Sequence, residues 1–222
     1  MRNRGYGQYC GVARALELVG ERWALLVVRD LLVGPRRFSE LKRGLPRIPT
    51  NVLAARLKEL EEAGVVRRRP VPRPGRGVQY ELTDYGHDLD EVVTALGRWG
   101  ARELGEPAAE EVLTTDALVM ALRSTFQPAH ARGFRSSFEL RVGDALVHAR
   151  IMDGRLEVAP GALPGADLTI EAGPLLRGLL AGEVSPAAAV RSGEVRLTGK
   201  KGLFAAFVSC FRIGPPPEPP AA

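Results

Sequence analysis

Only two cysteines occur in 222 residues, Cys10 and Cys210, and they stand far apart in the sequence. That usage does not describe a disulfide framework, and a reducing, cytoplasmic compartment is the expectation. No apolar run approaches the ~18–20 residues that a membrane span requires. The first twenty residues carry charge without the apolar centre and small-residue cleavage site of a signal peptide. Three histidines, His87, His130 and His148, are scattered, with no Cys or carboxylate at ligand spacing, so no metal site is expected. Nucleophile motifs, phosphate-cradling loops and paired-carboxylate arrangements are also missing. Neither enzyme activity nor a cofactor is expected.

What the chain does have is positive charge in one place. Residues 36–76 hold twelve Lys and Arg against four acids, a balance of +8 that exceeds the +5 of the whole protein. Residues 1–105 carry +6 and residues 106–222 carry −1. Only the first half is built to meet a polyanion.

Apolar periodicity gives this charge a framework. Val12, Ala13, Leu16 and Val19 recur at helical spacing, and Gly20 ends that run. Trp23, Leu26, Val27 and Leu31 form a second stripe, closed by Gly34-Pro35. Arg36 to Arg43 reads as a short helix with Phe38, Leu41 and Leu45 inward. After the turn Gly44–Pro49, a helix from Thr50 to Ala63 buries Leu53, Leu57 and Leu60. Steps of 100° then place Asn51, Ala55, Lys58 and Glu62 on the opposite face. Thr50 and Ala54 lie on its flank, with Thr50 as the expected cap. Gly64 ends this helix.

Val65–Arg69 and Val78–Leu82 read as two strands joined by a Pro- and Gly-rich turn carrying Arg73 and Arg76. Thr83 is an N-cap signal for the next helix, striped by Leu89, Val92, Val93, Leu96 and Trp99. A helix, turn, reader helix and basic hairpin make a winged helix-turn-helix, and the charge on it is the footprint of a duplex-DNA reader.

In such a motif the N-terminal part of the reader helix reaches base edges. Thr50, Asn51, Ala54 and Ala55 are therefore the candidate base-facing residues. Asn can bond adenine in a bidentate way, and a small Ala can sit against a thymine methyl. Arg36, Arg37, Ser39, Arg47, Arg56 and Lys58 are candidate backbone contacts. Arg73 and Arg76 would reach the flanking backbone or minor groove. Arg67, Arg68 and Arg69 alternate along a strand, so only some can face a duplex.

Cys10-Gly11-Val12-Ala13, Gly20-Glu21-Arg22-Trp23, Gly34-Pro35-Arg36-Arg37-Phe38-Ser39-Glu40-Leu41, the run Val52 to Gly64 and Tyr80-Glu81-Leu82-Thr83 resemble the HxlR family of bacterial transcription regulators. The resemblance spans about residues 9–104. It implies a homodimer on a palindromic or near-palindromic operator in double-stranded DNA, with the first and last helices of the domain helping to form the dimer. It departs at Pro49, where the family has a Ser or Thr cap, at Asn51, where it is often basic, and at Gly11, where it commonly has Pro. Some relatives use an N-terminal thiol as a redox sensor, which makes Cys10 a candidate; Arg14, one turn later, is a candidate for lowering its pKa. The bland alternative is a small residue at a dimer interface.

The second half follows the linker composition of 106–111. Leu118, Val119, Leu122 and Phe126 suggest a helix. Phe138, Leu140 and Val142, then Ala145, Val147, Ala149 and Ile151, alternate as strands. Asp153-Gly154 is a hairpin turn before Leu156–Val158. Leu168 and Ile170 mark another strand, Gly173–Gly182 an apolar helix, Val195 and Leu197 a last strand, and Leu203–Phe211 an aromatic helix.

This order, with Asp153-Gly154-Arg155-Leu156, Ala166–Ile170, Leu179–Ala187 and Gly193–Gly199, resembles a sterol-carrier-protein type 2-like domain over about residues 112–212. The resemblance implies about five strands beside helices and a pocket for a lipid or other apolar molecule, with Leu175, Leu176, Leu179, Leu180, Phe204, Phe207 and Phe211 as candidate lining. Core filling and pocket lining look alike in sequence.

The expected class is α+β: a winged-helix DNA-binding and dimerisation domain over 1–105, a linker over 106–111, a sterol-carrier-like α/β domain over 112–212 and a Pro-rich tail over 213–222. The expected function is a homodimeric DNA-binding regulator modulated through the second half. The alternatives are a lipid or acyl carrier with nonspecific DNA affinity, and a thiol-based stress sensor.

Overall fold

A computed structural model describes residues 5–71, 74–108, 110–173 and 176–215. Arg73, Leu175 and most of the Pro-rich tail lie outside them. The chain divides into two compact units, residues 1–93 and 94–222.

In the first unit α1 (Gly11–Val19) stops at Gly20, where a Cβ would collide with the Leu16 carbonyl. Helix α2 (Ala24–Val33) is preceded by Trp23 in the left-handed region at φ 81°. For a bulky non-glycine residue that backbone costs on the order of 1–3 kcal/mol and persists only where its surroundings hold it. Helix α3 (Phe38–Gly44) is closed at its start by the Arg37 N–H donating to Glu40 Oε2 at 2.6 Å.

Helix α4 (Thr50–Glu62) buries Leu53, Leu57 and Leu60 to 1% exposure or less, as the spacing predicts. Its cap differs from expectation. Pro49 holds the cap position and Thr50 is already the first helical residue, with no side-chain cap hydrogen bond. Proline's restricted φ suits an extended cap, here at φ −63° and ψ 144°. Gly64, at φ 72°, takes the left-handed position just past the end.

Strands β1 (Val66–Pro70) and β2 (Val78–Leu82) pair antiparallel. Arg36 adds a backbone bridge on Tyr80, at 2.9 and 2.7 Å, so it extends the wing rather than starting α3. Thr83 caps a four-residue helix, α5 (Asp84–His87), accepting from the Gly86 N–H at 3.0 Å and donating to the Gly64 carbonyl at 2.6 Å. A turn at Asp88 separates it from α6 (Leu89–Gly100), where the sequence predicts a single helix. The core of this unit is Val27, Val28, Leu31, Leu41, Ile48, Leu53, Leu57, Leu60 and Val65. Each fully buried aliphatic of this kind contributes about 1.5–3 kcal/mol over an exposed one.

In the second unit the last part of α6 packs on α7 (Thr115–Thr125). Arg98 Nε donates to the Ser124 carbonyl at 3.0 Å, and Gly97 leaves no room for a Cβ, which would stand 2.5 Å from Ser124 Oγ. The sheet comprises β3 (Arg135–Val142), β4 (Ala145–Met152), β5 (Arg155–Pro160), β6 (Leu168–Ala172) and β7 (Val195–Gly199), in the order β5-β4-β3-β6-β7. Only β3 and β6 run parallel. Asp153 and Gly154 both have positive φ, 52° and 81°, the requirement of a two-residue type I′ turn.

Phe138, Leu140, Val147, Ala149, Ile151, Leu168 and Ile170 are buried on one face of the sheet. Helix α7, α8 (Leu176–Ala181) and α10 (Leu203–Ser209) belong to the same unit. The periodicity does not reveal α9 (Pro186–Arg191), although Ser185-Pro186 is a start signal: Ser185 Oγ accepts from the Ala188 N–H at 3.2 Å.

The described residues expected to line an apolar pocket lie in the interior of the second unit. Leu176, Leu179, Leu180, Phe204, Phe207 and Phe211 are all buried, and Phe207 stands 4.6 Å from Phe138 and 4.8 Å from Phe211 between ring centroids. An open cleft of about 350 Å³ lies elsewhere and is polar, lined by Arg141, Glu171, Glu194 and Arg196 among others. Among the described residues no helix is long and apolar enough to cross a membrane.

Candidate nucleic-acid interface

Helix α4 leaves Thr50, Asn51, Ala54, Ala55 and Lys58 exposed, with Asn51, Ala55 and Lys58 opposite its buried leucines and Thr50 and Ala54 on the flank. Lys58 Nζ lies 3.7 Å from Glu62 in an i,i+4 pair with both side chains exposed, which leaves the ammonium in solvent. Ser39 and Arg37 are exposed at the start of α3, Arg47 is exposed in the turn before α4, and Arg76 is exposed in the hairpin turn. Arg36 is half-buried beside β2.

Arg56 is the least exposed of the candidate contacts on α4. Its side chain is only 14% exposed; it pairs with Glu59 on its own helix and lies 3.4 Å from Glu21. Its charge meets two carboxylates.

The wing holds a carboxylate that charge counting along the chain does not place. Glu81 is buried, accepts from Arg67 Nε at 2.7 Å and from Arg69 Nη1 at 3.1 Å. The Arg67 hydrogen bond first, and Arg69 after it, hold the Glu81 carboxyl below its usual range. Arg68 Nε lies 3.1 Å from Glu61 on α4 and its guanidinium sits 5.7 Å from the Tyr80 ring. The strand register was the available signal, since Arg67 and Glu81 are direct partners in the ladder.

Cys10 is exposed. The backbone N–H groups of Ala13 and then Val12, at the start of α1, hold its thiol below the usual value. Arg14 plays a different part from the one expected, donating to Glu17 at 2.9 Å. Cys210 is buried, and burial pushes its thiol up. His130 Nδ1 and His148 Nδ1 each lie 3.1 Å from a backbone carbonyl, of Ser209 and Gly161. Among the described residues no three His, Cys, Asp or Glu are grouped to hold a metal ion.

A family model for the HxlR-like helix-turn-helix matches residues 18–107. YvaP of Bacillus subtilis, an uncharacterized HTH-type transcriptional regulator, is 40% identical over 86 residues, which are 39% of this chain and 80% of YvaP. The chain belongs to the HxlR-like helix-turn-helix family.

An uncharacterized HTH-type transcriptional regulator of Mycobacterium tuberculosis is 44% identical over 96 residues, 43% of this chain; the chain spans 60% of that relative's length. The crystal structure of the HTH-type transcriptional regulator YtcD is 36% identical and covers 42% of this chain and 96% of its own, at a TM-score of 0.39. The HxlR-like match runs from α2 past α6, and the five-stranded sheet lies beyond it. These relatives are named as transcriptional regulators, and the matched residues of this chain carry the helix-turn-helix.

Proposed function

We propose that the protein is a sequence-specific regulator that binds a palindromic or near-palindromic operator as a homodimer. The observation that carries this reading is the exposed set Thr50, Asn51, Ala54, Ala55 and Lys58 on α4, of which Asn51, Ala55 and Lys58 stand opposite three buried leucines, together with an arginine-bearing hairpin. Two such helices would enter successive major grooves about one helical turn apart. Asn51, with Thr50, Ala54 and Ala55, would read bases. Arg36, Arg37, Ser39, Arg47, Lys58, Arg76 and, outside the described residues, Arg73 would hold backbone.

Dimerisation through α1 and α6 is supported by the apolar residues each leaves in solvent: Tyr9, Val12 and Leu16 on or beside α1, and Val92, Leu96 and Trp99 on α6. Large apolar side chains in such number mark a covered face.

The domain assignment, 1–105 for DNA binding and dimerisation and 112–212 for a sterol-carrier-protein-like domain, belongs to this proposal. The five-stranded order with its one parallel pair supports the second part. Its interlocked phenylalanines support a structural role for that half over a lipid carrier. A ligand there would regulate only by binding one dimer geometry better than another.

The test is titration against duplexes selected from a randomised library, with excess unrelated competitor, at two salt concentrations. A competitor-resistant complex is expected; if about four of the six cations assigned to backbone contact neutralise a phosphate in each protomer, the slope of log affinity on log salt is near −7 for the dimer. Binding without sequence preference would leave an architectural protein or a carrier. Asn51→Ala should change which sequence is preferred, whereas Arg76→Ala should weaken all duplexes alike.

A second reading, thiol sensing, rests on the exposed, acidified Cys10 thiol. Cys10→Ser should abolish any oxidant-dependent loss of operator affinity, and an unchanged response would remove the idea.

A further inference from the structure

Four consecutive residues, Gly20 to Trp23, join α1 to α2, and each is held. Gly20 has no space for a side chain against the Leu16 carbonyl. Arg22 places its guanidinium 5.2 Å from the centre of the Trp23 ring. Trp23 keeps a left-handed backbone that a bulky side chain disfavours. Between them Glu21 reaches out of the turn to Arg56 at 3.4 Å. A segment held this way is a stiff junction, and the Glu21–Arg56 ion pair ties it to α4.

Arg56 is the complementary half. It sits between the base-facing pair Ala54-Ala55 and the buried Leu57, so it lies where the exposed row turns inward. One end of its guanidinium pairs with Glu59 and the other with Glu21, while Nε is buried with no hydrogen-bond partner among the described residues. A planar guanidinium can bridge two carboxylates with fixed geometry, which a lysine ammonium on a flexible stem cannot. Helix α1 also packs on α4 directly.

We propose that Arg56 is a positioning residue: its bridge from Glu59 to Glu21 sets the reader helix against the α1–α2 junction, so that α4 is presented to DNA at one pitch. This rests on the regulator reading, and it assigns Arg56 a role other than phosphate contact. Because α1 carries exposed apolar residues, the same bridge ties the reader helix to a surface on which a second copy would dock.

The experiment measures salt dependence and sequence preference together, on a duplex selected by the wild-type protein. Arg56→Gln and Arg56→Lys should each weaken the selected duplex by about tenfold or more relative to random duplex, with the salt slope unchanged. The reversed pair, Glu21→Arg with Arg56→Glu, places an arginine between two carboxylates again and should recover affinity to within a few-fold.

A slope reduced by about 1.8 per dimer in Arg56→Gln would make Arg56 a phosphate contact and overturn the proposal. So would Arg56→Lys binding as wild type, or failure of the reversed pair to recover although it melts at the wild-type temperature. If Arg56→Gln does not fold, Arg56→Lys and the reversed pair still decide. A wild-type protein that selects no sequence would overturn the regulator reading itself, and this role with it.

Discussion

Arg67 donates through Nε to Glu81 at 2.7 Å, and the two residues are direct partners across the β1–β2 ladder. The wing therefore carries its own anion against two arginines. Glu81→Gln should release Arg67 and Arg69 for DNA. Affinity for random duplex should rise, and the salt slope should steepen by up to about 0.9 for each additional phosphate neutralised. Filter binding at several salt concentrations reads both, and an unchanged slope would show that Glu81 does not compete with phosphate.

Leu16 on α1 and Trp99 on α6 are 46% and 68% exposed. Replacing such residues in a monomer shifts stability by about 0.5 kcal/mol or less in either direction. In a dimer closed by these helices, Leu16→Lys and Trp99→Lys should instead produce monomers by sedimentation equilibrium and lose operator binding. Dimers of unchanged affinity in both variants would place the interface elsewhere.

Asp167 ties three parts of the second unit together. It accepts from Lys200 Nζ at 2.8 Å, from the Ser137 N–H at 2.9 Å and from Ser137 Oγ at 3.0 Å. Lys200 first, then the two Ser137 bonds, lower its carboxyl to about 2. An unfolded Asp titrates near 3.9. The charged form is favoured by folding, so the stabilisation is fully present above about pH 4 and disappears as pH falls toward 2. The melting temperature should drop across that window in wild type, and Asp167→Asn should remove this part of the pH dependence.

Phe207 is fully buried between Phe138 and Phe211. Phe207→Ala should destabilise the second unit by about 3–5 kcal/mol, read as a lower denaturant midpoint. Binding of a small apolar molecule restoring that midpoint in the variant, but leaving wild type unmoved, would show that the space is filled by the ring itself.

Much of the architecture is legible along the chain because the pattern is local. Leucines at 53, 57 and 60 define the inner face of α4 by period alone, and alternation from Phe138 to Val142 defines β3. Asp153-Gly154 specifies its turn because both residues tolerate positive φ. Thr83 caps as expected. Less legible was the burial of α6, of whose apolar stripe Val93 is buried while Val92, Leu96 and Trp99 are exposed. Periodicity says which residues share a face, not what covers it.

The charges divide in the same way. Composition and order alone determined that the first half is basic, that its basic residues sit on a helix-turn-helix with a hairpin, and that the second half is a sheet with helices, because those depend on residue type and spacing within one element. Which arginines meet a carboxylate was decided by the tertiary structure. Arg56 meets Glu21 from 35 positions earlier, and Arg67 meets Glu81 from 14 positions later. Likewise Phe126 and Phe211, far apart in sequence, come to 5.6 Å between ring centroids. An ion pair or a packed ring needs two side chains within a few ångströms, and for partners distant in the chain only folding sets that distance.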